Sequence, residues 1–135
     1  MLLGLNHLTL AVSNLELSFN FYVNVLGFSP KALWRQGAYL VLGELWLCLS
    51  LDDARQGQTR QDYTHYAFSV APENFAALAV RLREYGISEW KDNGSEGESL
   101  YFTDPDQHAL EIHCGNLASR LAACREKPYQ DMVFF

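Results

Sequence analysis

The sequence predicts an α+β fold built from two tandem βαβββ modules, and an internal repeat is the main reason. Segment 6–28 (NHLTLAVSNLELSFNFYVNVLGF) is similar to segment 64–87 (THYAFSVAPENFAALAVRLREYGI). Each segment begins with a His in an alternating, strand-like run, at His7 and His65, and each closes with a Gly after a stretch of helical periodicity. Three short strand candidates follow each helix, which completes the same βαβββ order twice.

The first module begins with a strand over 5–11, where every second residue shares one face. The apolar positions of the following helix recur at spacings of 4, 3 and 4 residues and form one face: Leu15, Phe19, Tyr22 and Leu26. Ser13 is the predicted N-cap, and Gly27 lies where a C′ glycine ends a helix. Three strands are predicted next, over 29–34, 38–42 and 45–51, with a tight turn at 43–44.

The second module repeats this order. Its first strand is predicted over 63–69, and its helix places Phe75, Leu78, Leu82 and Tyr85 on one face before Gly86. The remaining strands are predicted over 88–91, 99–103 and 109–114, with a turn at 104–107. A final helix is predicted over about 116–125. We therefore expect modules at 1–52 and 63–115, a linker at 53–62 and a C-terminal helix and tail at 116–135, all within one structural domain.

Composition excludes several classes of protein. The chain has 135 residues, a formal net charge of −6, a sequence pI near 5.1 and 49% hydrophobic residues, which is typical of a globular domain rather than a disordered chain. An acidic chain is a poor ligand for nucleic acids or anionic membranes. No apolar run reaches the roughly 20 residues of a membrane span, and no signal peptide is recognisable. Three unclustered cysteines indicate reduced thiols, so we expect a cytoplasmic protein.

Polar residues at equivalent strand positions predict a metal site. His7 and His65 are equivalent in the two opening strands, and aligning LWLCLS with HALEIH pairs Cys48 with Glu111. Two imidazoles and a carboxylate suit a divalent metal that keeps open coordination positions. An isolated strand His is more often structural, and Cys48 is either a fourth ligand or, as we favour, a small buried hydrophobe. His108 and His113 lack repeat support and are predicted to be turn and surface residues.

These residues carry a family resemblance over nearly the whole chain. The repeat, with NHLTLAV, WLCLS, DYTHYAF, SEG and LEIH in this order, resembles the vicinal oxygen chelate superfamily and, within it, the fosfomycin-resistance glutathione S-transferases of the FosA type. The resemblance implies Mn(II) bound by His7, His65 and Glu111 in an intertwined homodimer, with one His from one subunit and the other two ligands from its partner. It also implies an activating K⁺ in a loop that matches Asn93, Ser95, Glu96, Gly97 and Ser99.

The implied reaction is the addition of glutathione thiolate to the epoxide carbon of fosfomycin that bears the phosphonate, with the metal acting as Lewis acid. The positions that match the family's phosphonate donors are Thr9, Lys91, Ser95, Ser99, Tyr101 and Arg120. Trp46 and Tyr63 match aromatic walls of the substrate site, and Tyr39 is placed to hydrogen-bond the attacking thiol. The resemblance thus gives Thr9, Tyr39 and Arg120 the most direct roles in catalysis.

The sequence departs from the family at three positions. Gly94 replaces the usual Arg or Lys of the K⁺ loop, which could weaken glutathione docking or the response to K⁺. Gln107 replaces the Gly of a DPDGH turn, at a local cost of about 1–2 kcal/mol if it stays left-handed. Cys114 replaces an aliphatic residue and is expected to be silent in catalysis.

Several other functions fit the same fold. Sister branches use water, cysteine or bacillithiol as the nucleophile, and the hydrolytic branch carries a Glu general base where this chain has Gly37. That difference favours thiol transfer. A metal-free drug-binding protein would not need His7, His65 and Glu111 together. Glyoxalase and dioxygenase activities are further alternatives, although the phosphonate-binding set argues against both.

Overall fold

The computed structural model describes residues 1–59 and 62–135 and contains two four-stranded sheets. The first sheet has the order β1-β4-β3-β2. Its strands are β1 (His7–Val12), β2 (Ser29–Trp34), β3 (Gly37–Leu42) and β4 (Leu45–Leu51). Strand β1 pairs with β4 in parallel, and the other neighbours are antiparallel.

The second sheet repeats this topology with the order β5-β8-β7-β6. Its strands are β5 (Tyr66–Ser69), β6 (Glu89–Lys91), β7 (Ser99–Thr103) and β8 (Ala109–His113). Strands β5 and β8 are parallel neighbours, as β1 and β4 are in the first sheet. The predicted α+β fold of two βαβββ modules is confirmed. The predicted linker 53–62 contains a short 3-10 turn (Asp53–Arg55), and its residues 60 and 61 lie outside the described part of the chain.

Strand register confirms the predicted equivalence of the two modules. Thr9, two residues after the first His, lies opposite Cys48, and Ala67, two residues after the second, lies opposite Glu111. One prediction is wrong at this point, because β5 begins at Tyr66 and leaves His65 just before the strand. His65 still precedes Ala67 by two residues, so the later start of the strand, at 66 instead of 63, does not change the repeat.

Helices lie between the first and second strand of each module. Helix α1 (Leu15–Asn20) continues into a π-helical turn (Phe21–Val25), and α2 (Pro72–Tyr85) ends at Gly86 with a left-handed φ of +91°. The predicted N-cap Ser13 is wrong. Asn14 caps α1 instead, since its Oδ1 accepts from the Leu17 amide at 2.9 Å. Helix α3 (Leu117–Glu126) begins with a capping box between Asn116 and Ser119.

The core lies between the sheets and these helices. Its largest fully buried members come from both modules: Phe21, Tyr22, Leu40, Leu47, Leu49, Leu82, Phe102, Leu110 and Ile112. Cys48, Cys114 and Cys124 are buried, and none of them forms a disulfide, as the sequence predicts. None of the helices in the described ranges is long and apolar enough to cross a membrane.

A buried polar network joins the turn between β7 and β8 to the first module. The Asp106 carboxylate accepts hydrogen bonds from the backbone and hydroxyl of Ser13 at 3.0 and 2.5 Å. Asp104 accepts from the Tyr22 hydroxyl at 2.7 Å. The prediction that His108 is a turn residue at the surface is wrong, because it is only 6% exposed and its Nε2 donates to the Ala11 carbonyl oxygen at 2.8 Å. Ser13 is therefore engaged by Asp106 rather than by α1.

Asp104 gives this network a pH dependence. Burial raises the pKa of its carboxyl, although the charge interaction with His108 and hydrogen bonds from Tyr22 and two backbone amides oppose the shift. Because the folded pKa lies above the unfolded value of about 3.9, the carboxyl contributes stability below pH ~4 and loses it as pH rises through the folded pKa. An Asn side chain can still accept from both amides and donate to Tyr22. We expect the free energy of unfolding of Asp104→Asn, relative to wild type, to increase from pH 4 upward in urea titrations. A difference independent of pH would contradict this account.

Gln107 adopts a left-handed backbone in the same turn, with φ +66°. Strain in this conformation destabilises the folded state of a non-glycine residue by about 1–2 kcal/mol. Glycine avoids the strain, but it lowers the stability by about 0.4–1 kcal/mol because it gives the unfolded chain more conformational freedom. Gln107→Gly is therefore expected to raise the free energy of unfolding by about 0.5–1 kcal/mol in urea titrations. Gln107→Ala keeps the strain and should give no such gain. Equal stabilisation by both substitutions would show that the φ angle is not the cause.

Candidate metal and substrate site

A histidine and a carboxylate meet on one face of the second sheet. His65 lies just before β5, and Glu111 lies in the middle of β8. The distance from His65 Nε2 to Glu111 Oε2 is 3.1 Å. Glu111 is only 6% exposed, and a carboxylate so deeply buried needs a charged or hydrogen-bonding partner. The structure thus brings together two of the three predicted metal ligands.

The protonation of His65 makes this pair suitable for a metal ion. Its Nδ1 lies 2.8 Å from the carbonyl oxygen of Tyr63. A carbonyl oxygen only accepts hydrogen bonds, so Nδ1 carries a proton and Nε2 is the ring nitrogen that faces Glu111. Two electron-pair donors face each other favourably only when a cation or a proton lies between them. One imidazole nitrogen and one carboxylate oxygen are donors that divalent metals accept, and the Tyr63 carbonyl fixes the orientation of the ring by its hydrogen bond to Nδ1.

Donors for an anionic substrate surround this pair. The Lys91 ammonium contacts the Tyr63 hydroxyl and lies 4.6 and 4.9 Å from the ring centroids of Tyr63 and Tyr101. The hydrogen bond to Tyr63 raises the pKa of Lys91, which keeps the ammonium charged at neutral pH. Ser99 donates to Glu111 Oε1 at 2.6 Å, and Tyr101 lies opposite Glu111 in the β7–β8 ladder. Four predicted substrate residues therefore cluster around the predicted ligands.

Trp90 belongs to this cluster although the sequence did not predict it. Its ring centroid lies 5.5 Å from that of His65 and 5.2 Å from that of Tyr101. The indole Nε1 donates to the carbonyl oxygens of Phe102 and Leu110 at 3.0 and 3.2 Å, which fixes the ring. Trp90 thus forms part of the apolar wall beside His65.

The prediction that His113 is an isolated surface residue is wrong. Its side chain is 16% exposed, and its Nδ1 lies 2.7 Å from Ser99 Oγ and 3.7 Å from Glu111 Oε1. The residue is two positions after Glu111 on β8, so period-2 alternation places both side chains on one face. That alternation was the signal available in the sequence.

The remaining predicted ligand, His7, belongs to a second cluster on the first sheet. Its ring lies 4.7 Å from that of Trp46, and Tyr39 lies 5.3 Å from Trp46 on the other side. Thr9 and Tyr39 lie opposite Cys48 from its two neighbouring strands, and Thr9 lies two residues after His7 on β1. The His7 ring is exposed, and its Nδ1 lies 2.8 Å from Asn6 Oδ1, so Nε2 is available as a ligand. Cys48 is buried, as favoured from the sequence.

The two clusters are separate in the described part of this single chain. Within residues 1–59 and 62–135, no group of three or more His, Cys, Asp or Glu side chains is arranged to hold a metal ion. His7 is on the first sheet, whereas His65 and Glu111 are on the second. The three predicted ligands are therefore divided between the two sheets in the part of the chain that the structure describes.

Hydrogen bonds within the loop between β6 and β7 bring several of its oxygen atoms close together. Asn93 Oδ1 accepts from the backbone and hydroxyl of Ser95 at 3.1 and 3.2 Å, and Asn93 Nδ2 donates to the Gly97 carbonyl at 2.7 Å. Arg120 on α3 donates to the side chain and backbone of Glu96 at 3.4 and 3.3 Å. Burial lowers the pKa of Arg120, but hydrogen bonds to Glu96 and to Tyr129 outweigh this and raise it overall. The loop is thus tied to a permanent cation.

Sequence comparison identifies the family. Residues 4–112 match the family model of the Glyoxalase/Bleomycin resistance protein/Dioxygenase superfamily. The chain belongs to this superfamily. Glutathione transferase FosA of Serratia marcescens is 59% identical over 136 residues, covering 99% of this chain and 96% of that protein. Metallothiol transferase FosB of Shouchella clausii is 41% identical over 135 residues, covering 96% of this chain and 92% of that protein.

Solved structures of the superfamily support the fold. A mutant of the fosfomycin resistance protein FosX from Listeria monocytogenes, complexed with Mn(II) and 1S,2S-dihydroxypropylphosphonic acid, has a TM-score of 0.79 and 28% identity. The match covers 91% of this chain and 98% of that one. FosX from Mesorhizobium loti has a TM-score of 0.77 and 28% identity, covering 90% of this chain and 99% of that one.

Gly37 distinguishes possible reactions within the superfamily. A Cβ built on Gly37 would lie 2.5 Å from the carbonyl oxygen of Leu49 and 2.6 Å from Cζ2 of Trp34. The Trp34 ring thus fills the space that a side chain at this position would need. A carboxylate general base cannot be placed there without moving β4 or Trp34.

Proposed function

We propose that the protein is a metal-dependent glutathione transferase that inactivates fosfomycin and thereby gives resistance to this antibiotic. The observation that carries the proposal is the His65–Glu111 pair beside the phosphonate donors Lys91, Ser99 and Tyr101. The 59% identity to a glutathione transferase FosA supports the same activity. Fosfomycin combines an epoxide with a phosphonate, and this cluster offers donors for both groups.

The proposed metal site consists of His7, His65 and Glu111, and the metal we favour is Mn²⁺. A homodimer would supply His7 from one subunit and His65 with Glu111 from the other. When bound, a divalent cation supplies Lewis-acid stabilisation of the negative charge that develops on the epoxide oxygen. His7, His65 and Glu111 would leave coordination positions open for the substrate, because three protein ligands do not complete the coordination of such an ion.

The protein's own residues bind and orient the phosphonate. Lys91 contributes a positive charge, and the hydroxyls of Tyr101 and Thr9 contribute hydrogen bonds, whereas the Ser99 hydroxyl gives its proton to Glu111 at 2.6 Å. Arg120 and Ser95 border the loop after β6, and we assign both to the same anion. Trp46 and Tyr63 would pack against the substrate from the two sheets. The ring centroid of Trp90 lies 5.9 Å from that of Tyr63. Charge and aromatic walls together fix the epoxide carbon toward the incoming thiol.

The attacking sulfur would approach along the first sheet. Tyr39 is 39% exposed and stands in contact with Trp34 and Trp46, so its hydroxyl is available to a glutathione thiol. As the sulfur–carbon bond forms, the carbon–oxygen bond breaks, and the released oxygen finally takes a proton. A raised thiol pKa in a Tyr39→Phe enzyme would agree with a hydrogen bond to the thiolate.

We further propose that K⁺ binds the loop of Asn93, Ser95, Glu96, Gly97 and Ser99. Hydroxyl, amide and backbone carbonyl oxygens are the donors that a hard monovalent cation accepts. Gly94 adds no cation to this loop, so the response to K⁺ and the binding of glutathione would depend on the remaining oxygens and on Arg120.

Water is the main alternative nucleophile. Activation of water needs a general base close to the epoxide. The crowding around Gly37 leaves no room for a carboxylate there, and Glu44 lies in the exposed turn between β3 and β4. Thiol transfer therefore fits the site better than hydrolysis. The identity of the thiol, glutathione or instead cysteine or bacillithiol, is decided by experiment.

A phosphorus NMR time course of fosfomycin with the purified protein, Mn²⁺ and K⁺ tests the proposal. We expect a new resonance with glutathione and none with cysteine or without thiol. Product without thiol would indicate hydrolysis, and product with cysteine alone would indicate the other thiol branch. Fosfomycin that stays unmodified under every condition while binding tightly would indicate a drug-sequestering protein.

A further inference from the structure

We propose that His113 is a positioning residue that orients Glu111 for metal binding through the hydroxyl of Ser99. The inference rests on the metal site of the proposed function and extends it to a residue outside the ligand set. It concerns the three side chains His113, Ser99 and Glu111, which lie in a row on β7 and β8.

The direction of the hydrogen bonds follows from the donors available. Ser99 Oγ lies 2.6 Å from Glu111 Oε1 and 2.7 Å from His113 Nδ1. A hydroxyl has one proton, and an ionised carboxylate only accepts, so Ser99 donates to Glu111. The Ser99 oxygen then accepts from the Nδ1–H of His113. The relay thus runs in one direction, from His113 to Ser99 to Glu111.

The backbone holds the His113 ring in place. A Cβ built on Gly97 would lie 2.9 Å from His113 Cε1, and one built on Gly115 would lie 2.6 Å from His113 Nε2. Both glycines therefore allow the main chain to approach the ring from two sides. Their φ angles are +78° and +152°, which side chains rarely adopt. A ring confined in this way keeps its Nδ1 directed at Ser99.

The relay has a defined consequence for Glu111. Ser99 occupies Oε1 and leaves Oε2 directed at His65 Nε2, where the metal would bind. Without the donor at position 113, the Ser99 hydroxyl is free to rotate and the carboxylate loses its fixed orientation. Groups that orient a ligand in this way typically contribute about 10–100-fold to metal affinity.

Two substitutions at His113 separate positioning from packing. The Asn amide lies near the place of Nδ1 and can donate to Ser99, whereas Leu fills the space between the glycines and donates nothing. We expect His113→Leu to weaken Mn²⁺ binding by about 10–100-fold and His113→Asn to stay close to wild type. The dissociation constant is measured on the full-length protein, without fosfomycin or thiol, from the electron paramagnetic resonance signal of free Mn²⁺.

Other readouts keep the test decisive. If His113 only packs, the larger Leu should preserve Mn²⁺ affinity better than the smaller Asn, and that order would overturn the inference. His113→Gln carries its amide near the place of Nε2, out of reach of Ser99, so it should also weaken Mn²⁺ binding by about 10–100-fold. It serves as the second test variant if His113→Leu does not fold. Equal affinity in Gln, Asn and wild type would also overturn it. Absence of Mn²⁺ binding by the wild-type protein would instead contradict the metal site of the proposed function itself.

Discussion

Replacing Glu111 by Gln is expected to reduce the rate of glutathione addition to fosfomycin by about a thousandfold or more. Gln keeps the shape of the side chain, and its carbonyl oxygen can still accept from Ser99, so the change removes mainly the negative charge. Loss of a metal's stabilisation of the developing alkoxide costs several kcal/mol, and about 1.4 kcal/mol corresponds to tenfold in rate. Initial rates by phosphorus NMR, with Mn²⁺ titrations of both proteins, measure the effect.

Glu44→Gln is the matched control for this prediction. Glu44 is exposed in the turn between β3 and β4, and the same substitution there should leave both rate and Mn²⁺ affinity unchanged. The unfolding temperature of Glu111→Gln should show that the variant folds. A folded Glu111→Gln enzyme with the wild-type rate would refute the metal-assisted mechanism. A strong loss in Glu44→Gln would instead revive Glu44 as a base for water.

The fold was predictable because periodicity and repetition describe the same elements. The alignment of β4 with β8 predicted that Cys48 and Glu111 are equivalent, and the register bears this out. The buried polar network between the β7–β8 turn and the first module was not predictable. Asp104, Asp106 and His108 look like turn residues when only the local sequence is considered. Contacts with the first module, at Ala11, Ser13 and Tyr22, make them a buried network. That long-range contact also explains why Ser13 is not the N-cap.

The candidate site was likewise predictable only in part. Repeat equivalence was sufficient to predict that His65 and Glu111 lie on one face, because His65 precedes Ala67 by two residues and Ala67 lies opposite Glu111. Trp90 was not predicted, since the register shifts between Glu89 and Lys91 and alternation does not apply across a bulge. His113 was missed for another reason. Its importance depends on Ser99 of the neighbouring strand, and single-strand reasoning does not consider that partner.

Mixing two inactive variants is expected to restore activity if subunits share the metal site. His7→Ala and Glu111→Gln each disable both sites of a homodimer. In a mixed dimer, one site combines His7 of the Glu111 variant with Glu111 of the His7 variant and is intact. Random reassociation of equal amounts gives half mixed dimers with one intact site each, so roughly one quarter of wild-type activity should return. Phosphorus NMR rates before and after co-refolding measure the recovery.

The matching control combines Glu111→Gln with His65→Ala. His65 and Glu111 lie together on the second sheet of one chain, so every site of such a mixed dimer lacks one of them. No activity should return in this mixture. Recovery with His7→Ala but not with His65→Ala would locate the boundary between subunits between the two sheets. If neither mixture recovers although mixed dimers form, the three ligands must come from a single chain, and the first sheet would have to close over His65 and Glu111 of its own second module.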